Sequence, residues 1–442
     1  MKKEGLLNKI KEEKVKFIRL QMSDINGMLK NVEIPSDELE SALENGTMFD
    51  GSSIEGMVRI NESDMYLKPD LNSLCIFPWT VEKGKVARLM CDIYTTEGKN
   101  FEGDPRFILK KVISEMKEAG YEAYAGPEPE FFLLPTDEKS KRPELKFLDD
   151  GGYFDLLPID KGEETRKYIV EALEEMGINV EASHHEVAPS QHEIDFTYDK
   201  ILNTADNIQT FKLVVRTMAV LRGLHATFMP KPFMGINGSG MHCNMSLFDE
   251  KGNNTFFDTN EKYQISNNLR YFVGGILKHI DAITTIANPT INSYKRIIPG
   301  YEAPTNVAWS VSNRSALIRI PAARGKQTRV ELRSPDPSAN PYLLFAVIFA
   351  SGFKGIKEKT IPPTPIVENI FRMDEDKKND LGIKKLPRTL REAIKALEKD
   401  DFIQGVLGNH LSKKFIELKK KECDLFDESV TDWEINKYLR IL

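Results

Sequence analysis

The spacing of apolar and polar residues changes period several times along the chain, and each change marks an element. Lys3 to Glu13 has helical spacing, whereas Val15 to Met22 alternates with a period of two. Asp24-Ile25-Asn26-Gly27 then carries the Asn-Gly signal for a tight hairpin into Met28–Ile34. Ser36 is placed to cap a helix that Gly46 ends, and Val86–Tyr94 returns as a strand. Between them, Met48 to Asp64 contains the run FDGSSIEG, shows no period and reads as a loop. Strands around one or two helices predict a small α+β unit.

A second unit starts at Asp104-Pro105, an N-cap followed by proline at the first helical position. Its helix shows Ile108, Leu109, Val112, Ile113 and Met116 on one face and stops at Gly120. The pattern then predicts strand Tyr121–Leu134, helix Glu163–Met176, strand Ile178–Val187, helix Thr204–Leu221, strand His225–Met229 and a long helix near Gln264–Ile286. Thr389 with Glu392 predicts a capping box, and the C-terminal tail reads as charged helix. No internal repeat interrupts this order. The division expected is 1–103 and 104–442.

Composition narrows the class. At roughly 100–200 residues per domain, 442 residues suit one small and one large domain. The longest apolar run, Tyr342 to Ala350, is far short of the ~20 residues of a membrane span. The charged N-terminal stretch lacks an apolar signal region. Cys75, Cys91, Cys243 and Cys423 are scattered, which favours neither a disulfide framework nor a thiolate zinc site. A net charge of −6 offers no electrostatic reason to bind nucleic acid. A cytoplasmic enzyme or binding protein is expected, without nucleic acid or membrane partners.

Four segments carry candidate chemistry. In Gly126-Pro127-Glu128-Pro129-Glu130 the two acids point the same way on a strand, roughly 7 Å apart. Pro129 removes a ladder donor, which suggests an edge or a bulge. Taken alone, the pair reads more simply as two solvated acids. The run from Glu181 to Asp195 holds His184, His185 and His192 with Glu186 and Glu193, but no His-Glu-x-x-His helix that would indicate zinc. There Ile194 and Phe196 face the core, turning Glu193 and Asp195 the other way. Asn237-Gly238-Ser239-Gly240 precedes an alternating strand that puts His242, Asn244 and Ser246 on one face; glycines in such a loop let backbone N–H groups approach an anion. Asn313 to Arg333 carries six positive charges against Glu331 alone, interleaved with apolar residues. A half-buried cationic strand needs anionic partners, and arginine forks suit carboxylates and phosphates.

Charge links these segments. Glu128, Glu130, Glu186, Glu193 and Glu331 converging on one pocket would repel, by about 4 kcal/mol for a pair ~4 Å apart at an effective dielectric of 20. Such a cluster survives ionised around cations, and oxygen ligands with one imidazole, His242, indicate Mg²⁺ or Mn²⁺ rather than zinc. Two metals beside an arginine-rich wall describe a phosphoryl-transfer site that also grips a carboxylate.

These motifs, FDGSSIEG, GPEPEFFLL, HHEVAPSQHEIDF, NGSGMHCNMSL, NSYKRIIPGYEAP, NRSALIRIP and VELRSPDPSANPYLL, together resemble the type I glutamine synthetases. The resemblance implies an α+β fold: a β-grasp-like N-terminal domain, then a catalytic domain with a mainly antiparallel sheet and flanking helices. It also implies a dodecamer of two stacked hexameric rings with sites between subunits. Carried over by motif, Glu130, Glu186 and Glu193 hold one Mg²⁺ or Mn²⁺ ion, and Glu128, His242 and Glu331 the other. Glu181, Asn244, Ser246, Arg319, Lys326 and Arg329 resemble the ATP contacts. Asn237, Gly238, Arg296 and Arg333 resemble the glutamate contacts, and Arg314 the residue stabilising the transferred phosphoryl. Asp50 of a neighbouring subunit resembles the base for ammonium, lined by Tyr153 and Glu186, and Glu302 the flap acid. Phe371 stands where adenylylated relatives have a tyrosine, and the chain lacks their extra insertion. It therefore looks like the alpha subdivision, in which an arginine matching Arg59 is linked to glutamine feedback. A γ-glutamyl-polyamine synthetase, a non-catalytic assembly protein and a metallohydrolase built on His184–Glu193 are the alternatives; a regulatory protein partner stays open.

Overall fold

The computed structural model describes residues 1–54, 56 and 64–442. Arg59 lies outside them. Helix α1 (Lys3–Glu12) is followed by β1 (Val15–Ser23) and β2 (Leu29–Pro35), then α2 (Leu39–Asn45), β3 (Thr47–Asp50), β4 (Asp64–Pro69), β5 (Cys75–Ile76) and β6 (Lys85–Thr95). The sheet order is β2-β1-β6-β4-β3, with β5 beside β6 and β1 parallel to β6. Its own apolar core gathers Leu6, Ile18, Leu20, Leu67, Leu89 and Ile93.

Two local readings need correction here. Thr47–Asp50 is not loop but a strand antiparallel to β4, a pairing that no local period announces. Ser36 opens a 3-10 turn, and α2 begins three residues later without a side-chain cap.

The larger part runs through α3 (Pro105–Glu118), β7 (Tyr121–Pro135), α4 (Glu163–Glu175), β8 (Val180–His185), β9 (Gln191–Phe196), β10 (Asp199–Lys200), α5 (Ile201–Leu221), β11 (Leu224–Thr227) and β12 (Met241–Asp249). It continues with α6 (Asn267–Ala287), α7 (Ser293–Arg296), β13 (Asn306–Val307), β14 (Trp309–Ser310), β15 (Ile318–Arg319), β16 (Val330–Leu332) and α8 (Pro341–Glu358), and ends in further short helices. Nine strands form one sheet, β14-β15-β16-β12-β7-β9-β8, with β10 and β11 also on β7. Every pairing in it is antiparallel except β14 with β15. The fold is α+β.

Asp104 caps α3 through the Arg106 N–H with Pro105 behind it, as the sequence implies. The apolar run Tyr342–Ala350 lies in α8, buried along its whole length against the surrounding helices. A helix apolar on all sides needs such wrapping. No helix among the described residues is long and apolar enough to cross a membrane. Thr389 accepts from the Glu392 N–H, but the Glu392 carboxylate accepts from Arg388 rather than from the cap residue, so only half the expected box forms. A complete capping box joins Thr431 and Glu434 instead.

Candidate active site

Strand β7 is the spine of the site. It pairs with β12 over Tyr121–Pro129 and with β9 over Glu130–Phe132, which sets His242 opposite Glu128 and Glu193 opposite Glu130. The edge expected from Pro129 is absent, because β7 is central. The Glu130 N–H points at β12, donating to the Gly240 carbonyl, so Pro127 and Pro129 face the other side. There β10 has ended at Ala125 and β9 has not yet begun, so the missing donors cost no pairing.

Glu128, His242 and Glu331 form one group, with a ligand atom from each within 4.8 Å of the others. His242 Nδ1 lies 3.2 Å from Glu128, and the Asn244 amide donates to the same carboxylate at 2.8 Å. Burial acts to raise the Glu128 carboxyl, but these contacts and Arg319 outweigh it and hold it at about 2. Glu331 is almost fully buried between Arg319, at 2.6 Å, and Arg333, at 3.2 Å. Arg319 is thus committed to a carboxylate of its own chain, and Arg329 donates to Asn244 at 2.9 Å.

The second acidic group is larger than the sequence suggested. Burial, then the Glu130 charge, pushes the Glu186 carboxyl up to about 8, and burial with Glu128 and Glu181 pushes Asp195 up to about 8. Burial raises Glu193 as well, with Asp195 adding to it. Asp195, noted above only for its direction, is therefore part of the cluster, and His184 reaches Glu193 at 3.2 Å and groups with both acids. Buried carboxylates that repel and have few cations of their own fit hard divalent ions, and one imidazole beside oxygen donors suits Mg²⁺ or Mn²⁺.

Two cavities are lined by residues of these groups. One, of 390 Å³, is lined by Glu130, Glu186, Asn237, Gly238, His242, Arg296, Glu302 and Arg333, together with Gln191, Tyr301 and Ala303. The other, of 1030 Å³, is lined by Glu128, Glu181, Asp195, Asn244, Ser246, Lys326 and Arg329, with Tyr124 and Tyr198. Gln191 and Tyr301 lie inside two of the motifs but are not among the site residues the resemblance implies, and Tyr198 follows the HHEVAPSQHEIDF motif by two residues.

The glycine loop works differently from the expectation of an open anion cradle. The Gly240 N–H donates to Glu130 at 3.0 Å, so the anion it meets is a side chain of the protein. A Cβ at Gly240 would stand 2.5 Å from the Arg296 guanidinium, which is buried and donates to the carbonyls of Ser334 and Arg333. Tyr153 and Arg314 are exposed and near each other, and Tyr153 feels the charge of Glu186. Asp50 lines neither cavity; its exposed carboxylate accepts from Ser52 and Ser53, which hold it below the usual range.

The three histidines divide between two faces. His185 and His192 turn away from His184 into a fully buried cluster with Asp149 and Asp160. Arg166 supplies the cation there, 2.7 Å from Asp160 and 2.9 Å from His192 Nδ1. No zinc site unites the three.

Comparison with known proteins agrees with this geometry. Residues 14–96 match the family described as "Glutamine synthetase, beta-Grasp domain", and residues 102–438 "Glutamine synthetase, catalytic domain". A glutamine synthetase of Thermotoga maritima is 58% identical over 97% of this chain and 98% of its own. One of Staphylococcus aureus is 53% identical over 99% and 98%. Among solved structures, a GmaS/ADP complex superposes with a TM-score of 0.89 at 28% identity, covering 98% of this chain and 99% of that one. A Plasmodium falciparum glutamine synthetase gives 0.87 at 27% identity over 99% of each. The chain belongs to the glutamine synthetase family, and its reaction is the ATP-dependent synthesis of glutamine from glutamate and ammonia.

Proposed function

We propose that the reaction passes through γ-glutamyl phosphate, made and consumed between the two cavities. The observation that carries this is that Glu128 and His242, which group with the buried Glu331, face different cavities: His242 lines a small one with buried arginines, and Glu128 a larger one with Lys326 and Arg329. The small cavity takes glutamate on Asn237, Gly238, Arg296 and Arg333. The large one takes ATP on Glu181, Asn244, Ser246, Arg319, Lys326 and Arg329. Two divalent ions, Mg²⁺ or Mn²⁺, are held by Glu130, Glu186 and Glu193 and by Glu128, His242 and Glu331, and when bound they neutralise the phosphate charge.

The side-chain carboxylate of glutamate attacks the γ-phosphorus of ATP, ADP leaves, and Arg314 balances charge on the phosphoryl in transit. Ammonium gives a proton to Asp50 of a neighbouring subunit in a pocket of Tyr153 and Glu186. The resulting ammonia attacks the acyl carbon and expels phosphate, which leaves with the proton that the new amide nitrogen gives up. Glu302 closes over the acyl phosphate and keeps water out.

The domain division 1–103 and 104–442, the alpha subdivision, a cytoplasmic dodecamer and the absence of adenylylation at Phe371 belong to the same reading. Support for a site between chains comes from Asp50, which lines neither cavity of its own chain. The deciding assay is phosphate release from Mg-ATP and glutamate, with and without ammonium. Full release should require all three, and ammonium-independent release at the same rate would overturn the reading.

A further inference from the structure

Behind β8, which leads into Glu186, and β9, which carries Glu193, one buried carboxylate ties together segments far apart in sequence. Asp149 Oδ1 accepts from the Ser190 N–H at 2.8 Å and the Gly151 N–H at 3.3 Å, and lies 3.1 Å from His185 Nε2. Its Oδ2 accepts from the Lys161 N–H at 3.1 Å. Its side chain is wholly inaccessible to solvent.

These partners are the two ends of the 151–161 loop, the end of β8 and the turn into β9. That loop carries Tyr153. Its remaining ties to the strand are local: the Phe154 N–H donates to the His185 carbonyl at 3.1 Å, and Tyr153 and Phe154 stack on each other with His184 edge-on to both. His185 presents its other ring nitrogen to the Glu186 carbonyl at 2.6 Å. An unbroken set of contacts therefore runs from the base of the loop, through Asp149 and His185, to the backbone of Glu186.

We infer that Asp149 is a positioning residue: by clamping the 151–161 loop to His185 and Ser190 it sets Tyr153 against Glu186 and thereby shapes the pocket for the ammonium cation. This rests on the reading of Tyr153 and Glu186 given under the proposed function. Asp149 touches no substrate and acts only through the distance between those two side chains. A displacement of about 1 Å at a reacting group can cost on the order of 100-fold in rate. Loosening one side of the pocket should weaken the step that uses ammonium while leaving the glutamate contacts and, apart from Glu181 at the far end of β8, the ATP contacts on other elements in place.

Two variants test it in the assembled enzyme. Asp149→Asn puts an amide where four hydrogen-bond partners need a carboxylate. Gly151→Ala keeps the charge but places a Cβ 2.5 Å from His185 Nε2, and so carries the test if the first variant fails to fold. Expected are faster amide hydrogen exchange across 150–161 and a KM for ammonium raised by about 10-fold or more, with KM for glutamate and ATP within about twofold. Unchanged exchange in the folded variants, or three KM values rising together, would overturn the assignment. A wild-type protein lacking ammonium-dependent phosphate release would sink the reaction reading instead, and the exchange measurement would still decide whether Asp149 holds the loop.

Discussion

Glu130 and Glu193 stand directly opposite each other across β7 and β9, and both are buried. Glu130 has the Gln191 amide and the Gly240 N–H for company, and Glu193 has His184. With Glu186 and Asp195 beside them, the pairing concentrates negative charge that Arg296 and Arg333 offset only in part. The strand register that builds the site therefore makes the metal-free fold sensitive to pH.

Glu186 and Asp195 rise to about 8 from ordinary values of 4.5 and 3.8. In that window the folded chain holds more protons than the unfolded one, so metal-free stability falls as pH rises towards 8. Chelation by EDTA should lower Tm more at pH 8 than at pH 6, by several degrees, in scanning calorimetry. Equal losses at both pH values would contradict this.

Gly240→Ala should press on Arg296, because the new Cβ meets a guanidinium pinned by backbone carbonyls. KM for glutamate should rise about 10-fold or more while KM for ATP stays near the wild-type value. Steady-state kinetics varying each substrate in turn will show whether the two separate.

Chains carrying Asp50→Ala or Glu331→Ala should each be inactive alone. If Asp50 serves a neighbour, refolding the two together should restore activity, because some sites in mixed rings receive both native residues. Mass spectrometry can verify mixing, and no recovery in mixed assemblies would place Asp50 elsewhere.

Asn340 works at both ends of its amide. Its Oδ1 caps α8 through the Tyr342 and Leu343 N–H groups, and its Nδ2 donates to the carbonyls of Asp24 and Ile25 at the β1–β2 turn. Asn340→Ala should cost about 2 kcal/mol, from a lost cap and the lost amide bonds to the two carbonyls. Thermal unfolding of the variant measures it, and a loss well under 1 kcal/mol would show that water replaces the amide.

Lys212 is buried, with the Ala339 carbonyl 3.2 Å from its Nζ. Burial, with Arg216 adding to it, pushes its pKa down from 10.5 to about 7. Because the folded value is depressed, the penalty is full below about pH 7 and shrinks as pH rises towards 10.5. Lys212→Met should therefore stabilise the protein by about 2–4 kcal/mol near pH 7, after the lost hydrogen bond is counted, and by much less near pH 10. A gain independent of pH would mean that Lys212 is not neutral in the fold.

Much of the fold is legible locally. The cap at Asp104 with Pro105, the helix it starts and the shared face of Glu128 and Glu130 follow from turn chemistry and a period of two or 3.6. The motif residues also foretell which carboxylates gather. The strand at Thr47–Asp50 is not legible in this way, because β4, the strand it pairs with, begins 14 residues after its last residue.

The division of the histidines shows the same boundary more sharply. Local order places His184, His185 and His192 within nine residues, and nothing in that order says which meet a cation. Packing turns His185 and His192 towards Asp149 and Arg166, whose positions depend on a loop and a helix lying before them in sequence, and leaves His184 for Glu193. Residue type and spacing set which side chains share a face. Which faces meet depends on strand register and on what fills the core between them, and those are properties of the whole chain.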